Sequence, residues 1–113
     1  MKPGDIVLVR FPQTDLEAGK LRPALVVALS PGRHSDALLA MITSRVYQSI
    51  PGFDEMIELT DKDFVDTGLK TRSVVRLSRL ASVEVNAINA KLGEVSDERL
   101  SIAKQRILDW LGK

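Results

Sequence analysis

The chain has 113 residues, with 16 Lys and Arg against 15 Asp and Glu, 44% hydrophobic residues and no cysteine. The lack of cysteine excludes disulfides, thiolate zinc sites and cysteine nucleophiles, and the longest apolar stretches, at 24–29 and 37–42, are much shorter than the roughly 18 residues of a membrane-spanning helix. We therefore expect one soluble domain over residues 1–113. The N-terminal segment Met1–Asp5 has no apolar stretch of the signal-peptide type, which favours a cytoplasmic location.

Six short segments rich in Val, Ile and Leu predict β-strands, because each is bounded by Gly, Pro, Asp or Ser. In chain order they are Asp5–Phe11, Arg22–Leu29, Leu38–Ser44, Asp54–Leu59, Thr71–Leu77 and Lys91–Val95. Strands of this length predict a mainly β fold of the small, bent antiparallel barrel type.

The C-terminal segment has the period of a helix. Apolar residues recur at helical spacing from Leu100 to Leu111 and form one stripe that can pack on a sheet. Ser96 is a suitable N-cap, and Gly112 follows the last apolar residue. The sequence therefore predicts an α+β domain in which a terminal helix covers one side of the barrel.

Two connections between the predicted strands are long enough to carry function. Residues 12–21 join the first two strands, whereas hairpin loops usually have 2–5 residues. Residues 45–52 follow the third predicted strand. Loops on a rigid β scaffold are frequent sites of binding and catalysis.

The near-neutral total charge hides two segments of opposite sign. Residues 54–66 hold six acidic residues against Lys62 alone, a net charge of −5, and residues 67–91 hold five basic residues against Glu84 alone, a net charge of +4. We expect the acidic segment to be a solvated surface, because it lacks the glycine and terminal glutamate of an EF-hand loop. The basic segment is compatible with polyanion binding or with an ordinary solvated face.

The chemistry-bearing residues do not form a metal or phosphate-loop motif. His34 is the only histidine, and no glycine-rich phosphate loop is present, so we expect no metal and no cofactor. If the second and third strands run antiparallel, Arg22 at the start of one lies beside Thr43 at the end of the next. A guanidinium beside a hydroxyl suits a phosphodiester, because its N–H donors match phosphate geometry.

Five stretches of the sequence, in this order, resemble the MazF/PemK toxins, the RNA-cleaving partners in type II toxin–antitoxin systems. They are Gly4–Val9, Leu21–Val27, Ile42–Ser44, Ser73–Leu77 and Leu92–Ser96. The resemblance implies an SH3-like barrel that forms a homodimer and binds an acidic antitoxin. It further implies sequence-specific, metal-independent cleavage of single-stranded RNA by attack of the ribose 2′-hydroxyl, giving 2′,3′-cyclic phosphate and 5′-hydroxyl ends.

The resemblance also implies site residues. Arg22 and Thr43 match the family's catalytic arginine and threonine, and Arg76 matches a third position used in some members. Beside these we expect RNA contacts from seven further residues, which are Lys20, Ser44, Arg45, Tyr47, Gln48, Arg72 and Ser78. The aromatic residues Phe11, Tyr47 and Phe53 could stack on bases, although Phe11 and Phe53 favour the core.

The general base is left open. Certain relatives have an aspartate where this chain has Ser78, and an arginine with a pKa above about 12 is a poor base. The carboxylates of Asp15 and Glu17 are candidates, and His34 is a weaker one because it follows the second strand at the opposite edge from Arg22. Cleavage could instead depend mainly on positioning the 2′-hydroxyl and stabilising the phosphorane charge.

Two other functional classes remain open from the sequence. The chain could be a gyrase-binding poison of the CcdB type, whose helix closes with Trp-Gly-Ile where this chain has Trp110 followed by Leu111 and Gly112, or a catalytically inactive SH3-like binding module. We favour Trp110 as packing at the edge of the core. Ile102 lies roughly opposite the apolar stripe of the helix and indicates a contact with a second subunit.

Overall fold

The computed structural model describes residues 1–10, 20–32 and 35–113. These residues contain six strands and two helices, and two single 3₁₀ turns lie at Val46–Gln48 and Val85–Ala87. The strands are β1 Asp5–Arg10, β2 Leu21–Leu29, β3 Asp36–Thr43, β4 Glu55–Ile57, β5 Ser73–Glu84 and β6 Ile88–Glu94, and the helices are α1 Phe64–Thr67 and α2 Asp97–Leu111. Four residues that the sequence nominated, Phe11, Asp15, Glu17 and His34, lie outside the described residues.

The strands form one antiparallel sheet in the order β4-β5-β3-β2-β1-β6. The prediction of a mainly β fold with a C-terminal helix is confirmed, but the described strands do not close into a full barrel, because β4 and β6 are the two edges of this order. No helix in the described part of the chain is long and apolar enough to cross a membrane.

Side chains alternate between the two faces of the sheet and form two apolar clusters. The helix-side cluster joins Ile6, Leu25, Ile42, Val75 and Leu77 of the sheet to Ala103 and Ile107 of α2. The second cluster lies on the opposite face and contains Val7, Val9, Ala24, Val26, Ala37 and Leu39. Strand residues an even number of positions from a member of the second cluster on the same regular strand therefore point away from α2.

Helix α2 begins as the sequence predicts. Ser96 is its N-cap, with extended backbone and a side chain that accepts a hydrogen bond from the Arg99 amide at 3.1 Å. The acidic residues Asp97 and Glu98 occupy the first turn, where they favour the positive end of the helix dipole. This cap places Arg99, Ala103 and Ile107 on the buried side of the helix.

Two glycines allow α1 to lie directly against β6. A Cβ atom on Gly93 would lie 2.2 Å from the carbonyl oxygen of Asp66, and one on Gly68 would lie 2.2 Å from that of Leu92. Gly68 also has a φ of +72°, a backbone conformation that residues other than glycine rarely adopt. Glycine, which has no Cβ atom, is therefore required at both positions for this contact.

The prediction that the acidic segment 54–66 is solvated is wrong for five of its six acidic residues. Asp54 and Asp63 are buried, and Glu55, Glu58 and Asp61 are only partly exposed. The Asp54 carboxylate accepts from two backbone amides, whereas Glu55, Asp61 and Asp63 are paired with two arginines of α2. Arg99 binds Glu55, Asp61 and Asp63 at 2.7–3.1 Å, and Arg106 binds Glu55 at 2.9 Å. The opposite charges lie far apart in sequence, so the run alone gives no sign that it is paired.

The fifth strand is longer than the sequence predicts. It continues past Leu77 to Glu84, where apolar and polar residues alternate from Ala81, and it pairs with β3 on both sides of an irregularity. The pairs Met41↔Arg76 and Ala40↔Leu80 are adjacent on β3 but leave residues 77–79 of β5 opposite no β3 residue. This bulge comes directly after Arg76.

Candidate functional site at the ends of strands β2, β3 and β5

Strands β2 and β3 run antiparallel, as the argument for placing Arg22 near Thr43 requires. Their last pair at this end is Ala24 with Met41, and Arg22 and Thr43 each lie two residues beyond it on their own strands. On the other side of β3, Thr43 pairs with Val74 and Met41 with Arg76. Arg76 therefore lies one strand away and two residues along from Thr43.

These three side chains share one face of the sheet. Arg76 and Val74 alternate with Val75 and Leu77, which belong to the helix-side cluster, so Arg76 points to the opposite face. Arg22 and Thr43 each lie two residues from Ala24 and Met41 on their strands and so point to the same face as these residues. Ala24 belongs to the second cluster, and Met41 packs against it. On this face, two guanidinium groups and a hydroxyl therefore lie beyond the second cluster at the ends of the strands.

Thr43 begins the loop as well as ending the strand. Its Oγ1 accepts a hydrogen bond from the backbone amide of Arg45 at 3.1 Å, an arrangement typical of a turn started by a hydroxyl residue. A hydroxyl that accepts this bond still has its own hydrogen to donate. Thr43 can therefore donate to a phosphate oxygen while it holds the loop.

Arg76 is partly exposed, and only part of its guanidinium is hydrogen-bonded. Its Nη1 donates to the side-chain oxygen of Gln48 at 3.3 Å. Its Nε is buried and has no hydrogen-bond partner within the described part of the chain. A guanidinium held in this way keeps N–H groups available for an anion.

The loop that follows Thr43 presents an aromatic side chain. It contains the 3₁₀ turn Val46–Gln48, closed by a bond from the Gln48 amide to the Arg45 carbonyl at 3.0 Å. Tyr47 in this turn is 78% exposed, which suits stacking on an unpaired base. Phe53, by contrast, packs against the helix-side cluster, as its sequence context favours.

The remaining predicted RNA contacts differ in their surroundings. Ser44 and Arg45 are exposed beside Thr43, Lys20 is exposed just before β2, and Ser78 is partly buried in the β5 bulge. Arg72 precedes β5 and its Nε binds Glu58 at 2.7 Å. Lys91, another member of the basic segment, lies 3.3 Å from Asp5. The basic segment is therefore not one continuous surface of unpaired charge.

Sequence reasoning missed Asp54. This residue is 5% exposed, and its carboxylate accepts hydrogen bonds from the amides of Ile50 at 2.8 Å and Leu77 at 2.9 Å. It thus joins the loop to the strand residue that follows Arg76. Only its place at the end of a Pro-Gly turn distinguishes Asp54 within the acidic segment, so the sequence carries little signal for it.

Within residues 1–10, 20–32 and 35–113, no group of three or more His, Asp or Glu side chains is arranged to hold a metal ion. The site as described consists of cationic and hydroxyl donors. Such groups can bind a phosphodiester and stabilise negative charge that develops on it.

Comparison with known proteins identifies a family for the chain. A family model described as the PemK-like, MazF-like toxin of type II toxin–antitoxin systems matches residues 2–111. No curated protein matches the sequence.

The fold is shared with solved MazF structures. MazF from Deinococcus radiodurans superposes with a TM-score of 0.71 at 21% identity, covering 100% of this chain and 97% of that one. The MazE–MazF structure from the same organism gives 0.69 at 19% identity over 99% and 95%. An endoribonuclease in complex with its cognate antitoxin from a mycobacterial species gives 0.66 at 17% identity over 99% and 95%. Because the family model spans nearly the whole sequence, the chain belongs to the PemK-like, MazF-like toxins of type II toxin–antitoxin systems.

Proposed function

We propose that this chain is a sequence-specific endoribonuclease that cleaves single-stranded RNA without a metal ion. The observation that carries the proposal is that Arg22 and Thr43 each lie two residues beyond the Ala24↔Met41 pair, while Arg76 pairs with Met41 on the other side of β3. The family and the endoribonuclease with the similar fold support the same activity.

In the proposed reaction the ribose 2′-oxygen attacks the adjacent phosphorus, and the bond from phosphorus to the 5′-oxygen breaks. The 2′-hydroxyl proton passes to a base, and the departing 5′-oxygen takes up a proton. The products are a 2′,3′-cyclic phosphate and a 5′-hydroxyl. Arg22 and Arg76 stabilise the extra negative charge on the phosphorane, and Thr43 donates to a phosphate oxygen.

The loop and strand ends around these residues hold the RNA. Tyr47 stacks on a base and Gln48 binds a base edge. Ser44, Arg45 and Lys20 contact the backbone beside the scissile phosphate, and Arg72 and Ser78 extend the contact along β5.

The proposal includes partners and location. The solved relatives include toxins bound to their antitoxins, and we propose that this chain is a cytoplasmic homodimer neutralised by an acidic antitoxin. Ile102 of α2 is exposed, which supports a contact with a second subunit. Trp110 is 42% exposed but packs edge-to-face on Phe53 with ring centroids 5.7 Å apart, which supports packing rather than presentation to a gyrase.

Cut sites and end chemistry on a long single-stranded RNA test the activity. Arg22→Ala should lower kcat/KM by roughly 10², the size expected for losing one preorganised donor to a developing oxyanion. Thr43→Ala should cost less, because a neutral donor contributes less than a charged one. Arg79→Ala, an exposed arginine on β5 outside the proposed site, is the matched control and should retain full activity.

Metal dependence and target class give independent tests. EDTA should leave the activity of the wild type unchanged. Activity that disappears with EDTA and returns with Mg²⁺, or an Arg22→Ala protein as active as the wild type, contradicts the mechanism. Toxicity without RNA cleavage, together with binding to a topoisomerase, would show instead a poison of the gyrase-binding type.

A further inference from the structure

Asp54 occupies the junction between β4, the loop before it and the bulge of β5. Its backbone amide donates to the Ile50 carbonyl at 3.0 Å, and its carboxylate accepts a hydrogen bond from the Ile50 amide at 2.8 Å. The second carboxylate oxygen accepts from the Leu77 amide at 2.9 Å. A single buried side chain therefore closes the end of the loop and fixes it to β5.

The bulge explains why a side-chain acceptor is needed there. β4 pairs with β5 only at Glu55↔Val75, Met56↔Val74 and Ile57↔Ser73, and β3 leaves residues 77–79 unmatched. Leu77 is itself buried, and a buried amide without an acceptor is costly. The Asp54 carboxylate supplies that acceptor where both neighbouring strands stop pairing.

The same contact sets the position of Arg76. Leu77 is the next residue along β5, so the bond to its amide fixes the backbone on the C-terminal side of Arg76, while the Met41 pairing fixes the residue itself. The Ile50 bond holds the loop whose Gln48 side chain accepts from Arg76 Nη1. Asp54 thus contributes to both supports of the Arg76 guanidinium, its backbone on the C-terminal side and the loop that carries its side-chain partner.

Helix α2 braces this junction from the other side of the sheet. Arg106 Nη1 donates to the carbonyl oxygens of Phe53 at 3.1 Å and Asp54 at 2.8 Å. The peptide units before and after Asp54 are therefore held by the helix, while the Asp54 side chain is committed to the loop and to β5. This leaves the carboxylate little freedom to move away from Leu77.

We propose that Asp54 is a positioning residue for catalysis, which holds the Arg76 guanidinium, through the Leu77 amide and the loop that carries Gln48, where it stabilises the charge that develops on the phosphodiester. The role rests on the proposed function, because it acts through Arg76. Asp54 itself touches no substrate. Its carboxylate is required because it accepts from two amides at once, whereas an asparagine of the same shape turns an NH₂ donor towards one of them.

Asp54→Asn therefore tests the role with the least change of shape. Displacement of a catalytic group by about 1 Å can cost on the order of 10² in rate, and we expect kcat to fall at least about tenfold with KM within about twofold. Asp63→Asn is the matched control. Asp63 is similarly buried and accepts the Ser96 amide at 3.0 Å, so it should lower stability and leave kcat unchanged.

A double-mutant cycle separates positioning from a general loss of structure. In an Arg76→Ala background, Asp54→Asn should change kcat by less than about twofold, because the group it positions is absent. If Asp54→Asn does not fold, Asp54→Glu retains an acceptor for both amides but places it one methylene further out. That variant should fold and still lower kcat.

The outcomes distinguish this inference from the proposed function. A wild-type protein that cleaves no RNA overturns the proposed function and the role of Asp54 with it. A wild type that cleaves, with Asp54 variants of unchanged kcat, overturns the role of Asp54 alone. So does a cycle in which the losses from Asp54→Asn and Arg76→Ala multiply independently.

Discussion

Replacing Arg99 by methionine should destabilise the fold more than replacing any exposed arginine. The Arg99 side chain lies in the interface between α2 and the segment 55–63, and the residue is 9% exposed. Its guanidinium binds both oxygens of Asp63 at 2.9 and 3.0 Å, Asp61 at 2.7 Å, Glu55 at 3.1 Å and the Met56 carbonyl at 2.6 Å. Methionine fills a similar length without supplying a donor.

The magnitude follows from what remains after the substitution. Removing one partner of a buried ion pair typically costs about 3–5 kcal/mol, because the other charge stays buried and unpaired. Here Asp63 keeps the Ser96 amide and Asp61 keeps the Glu58 amide, which favours the lower half of that range. For a domain of this size about 1 kcal/mol corresponds to about 4 °C in Tm, so we expect Tm to fall by roughly 12–16 °C.

The cluster also predicts acid sensitivity of a defined sign. The hydrogen bonds from Arg99 lower the pKa of Asp63 from 3.8 to about 2. A carboxylate with a lowered pKa in the folded state stabilises the fold above its ordinary pKa and loses that contribution as the pH falls through the folded value. Asp63 should therefore contribute about 2 kcal/mol at neutral pH, lost between about pH 4 and pH 2. Arg99→Met should lose less stability over this interval than the wild type.

Urea unfolding at fixed protein concentration, followed by circular dichroism from pH 7 to pH 2, measures both effects. Arg79→Met is the control, because Arg79 is exposed and such substitutions usually stay within about 0.5 kcal/mol. A loss below about 1 kcal/mol in Arg99→Met at pH 7 refutes the view that this cluster is a major source of stability. Parallel pH profiles for the wild type and the variant refute the attribution of the Asp63 pKa to Arg99.

Two further predictions concern local structure. Ser96→Ala removes the side-chain acceptor of the Arg99 amide and should lower the unfolding free energy by about 1 kcal/mol; an unchanged value in urea unfolding would show that the cap is dispensable. Gly93→Ala places a Cβ atom 2.2 Å from the Asp66 carbonyl, whereas Gly32 has nothing within 4 Å. We expect Gly93→Ala to lower the unfolding free energy by more than about 2 kcal/mol and the control Gly32→Ala to be nearly neutral. Equal thermal stabilities of these two variants would contradict the contact between α1 and β6.

The apolar pattern predicted the fold well because the period of the side chains decides it. The strand β2 at Leu21–Leu29 and the cap at Ser96 lie within one residue of their predicted places. The prediction failed between Ser78 and Asn89, where β5 continues and β6 begins. Apolar and polar residues alternate from Ala81 to Asn86, and Ala81, Val83 and Val85 pack against the second cluster, so this stretch carried a strand signal that was overlooked.

The candidate site was predictable in one respect and not in another. Strands β2 and β3 do pair antiparallel, which is the premise from which the positions of Arg22 and Thr43 at strand ends predict their proximity. Asp54 was not predictable, because its role depends on a bulge that no local pattern encodes. Arg99 carried a signal that was overlooked, since it stands four residues before Ala103 and so lies on the apolar stripe of α2.

Four arginines of this chain form two pairs on opposite sides of the sheet. Arg99 and Arg106 lie on α2 and are bound by carboxylates of the acidic segment, so their charge is used to attach the helix. Arg22 and Arg76 have the parity of the opposite face and lie beside a hydroxyl. A net charge of +1 is therefore compatible with a site for an anion, because three carboxylates of the acidic segment, Glu55, Asp61 and Asp63, are paired with α2 on the helix side. Asp54 lies where the two pairs meet, since Arg106 holds its carbonyl while its carboxylate fixes the residue after Arg76.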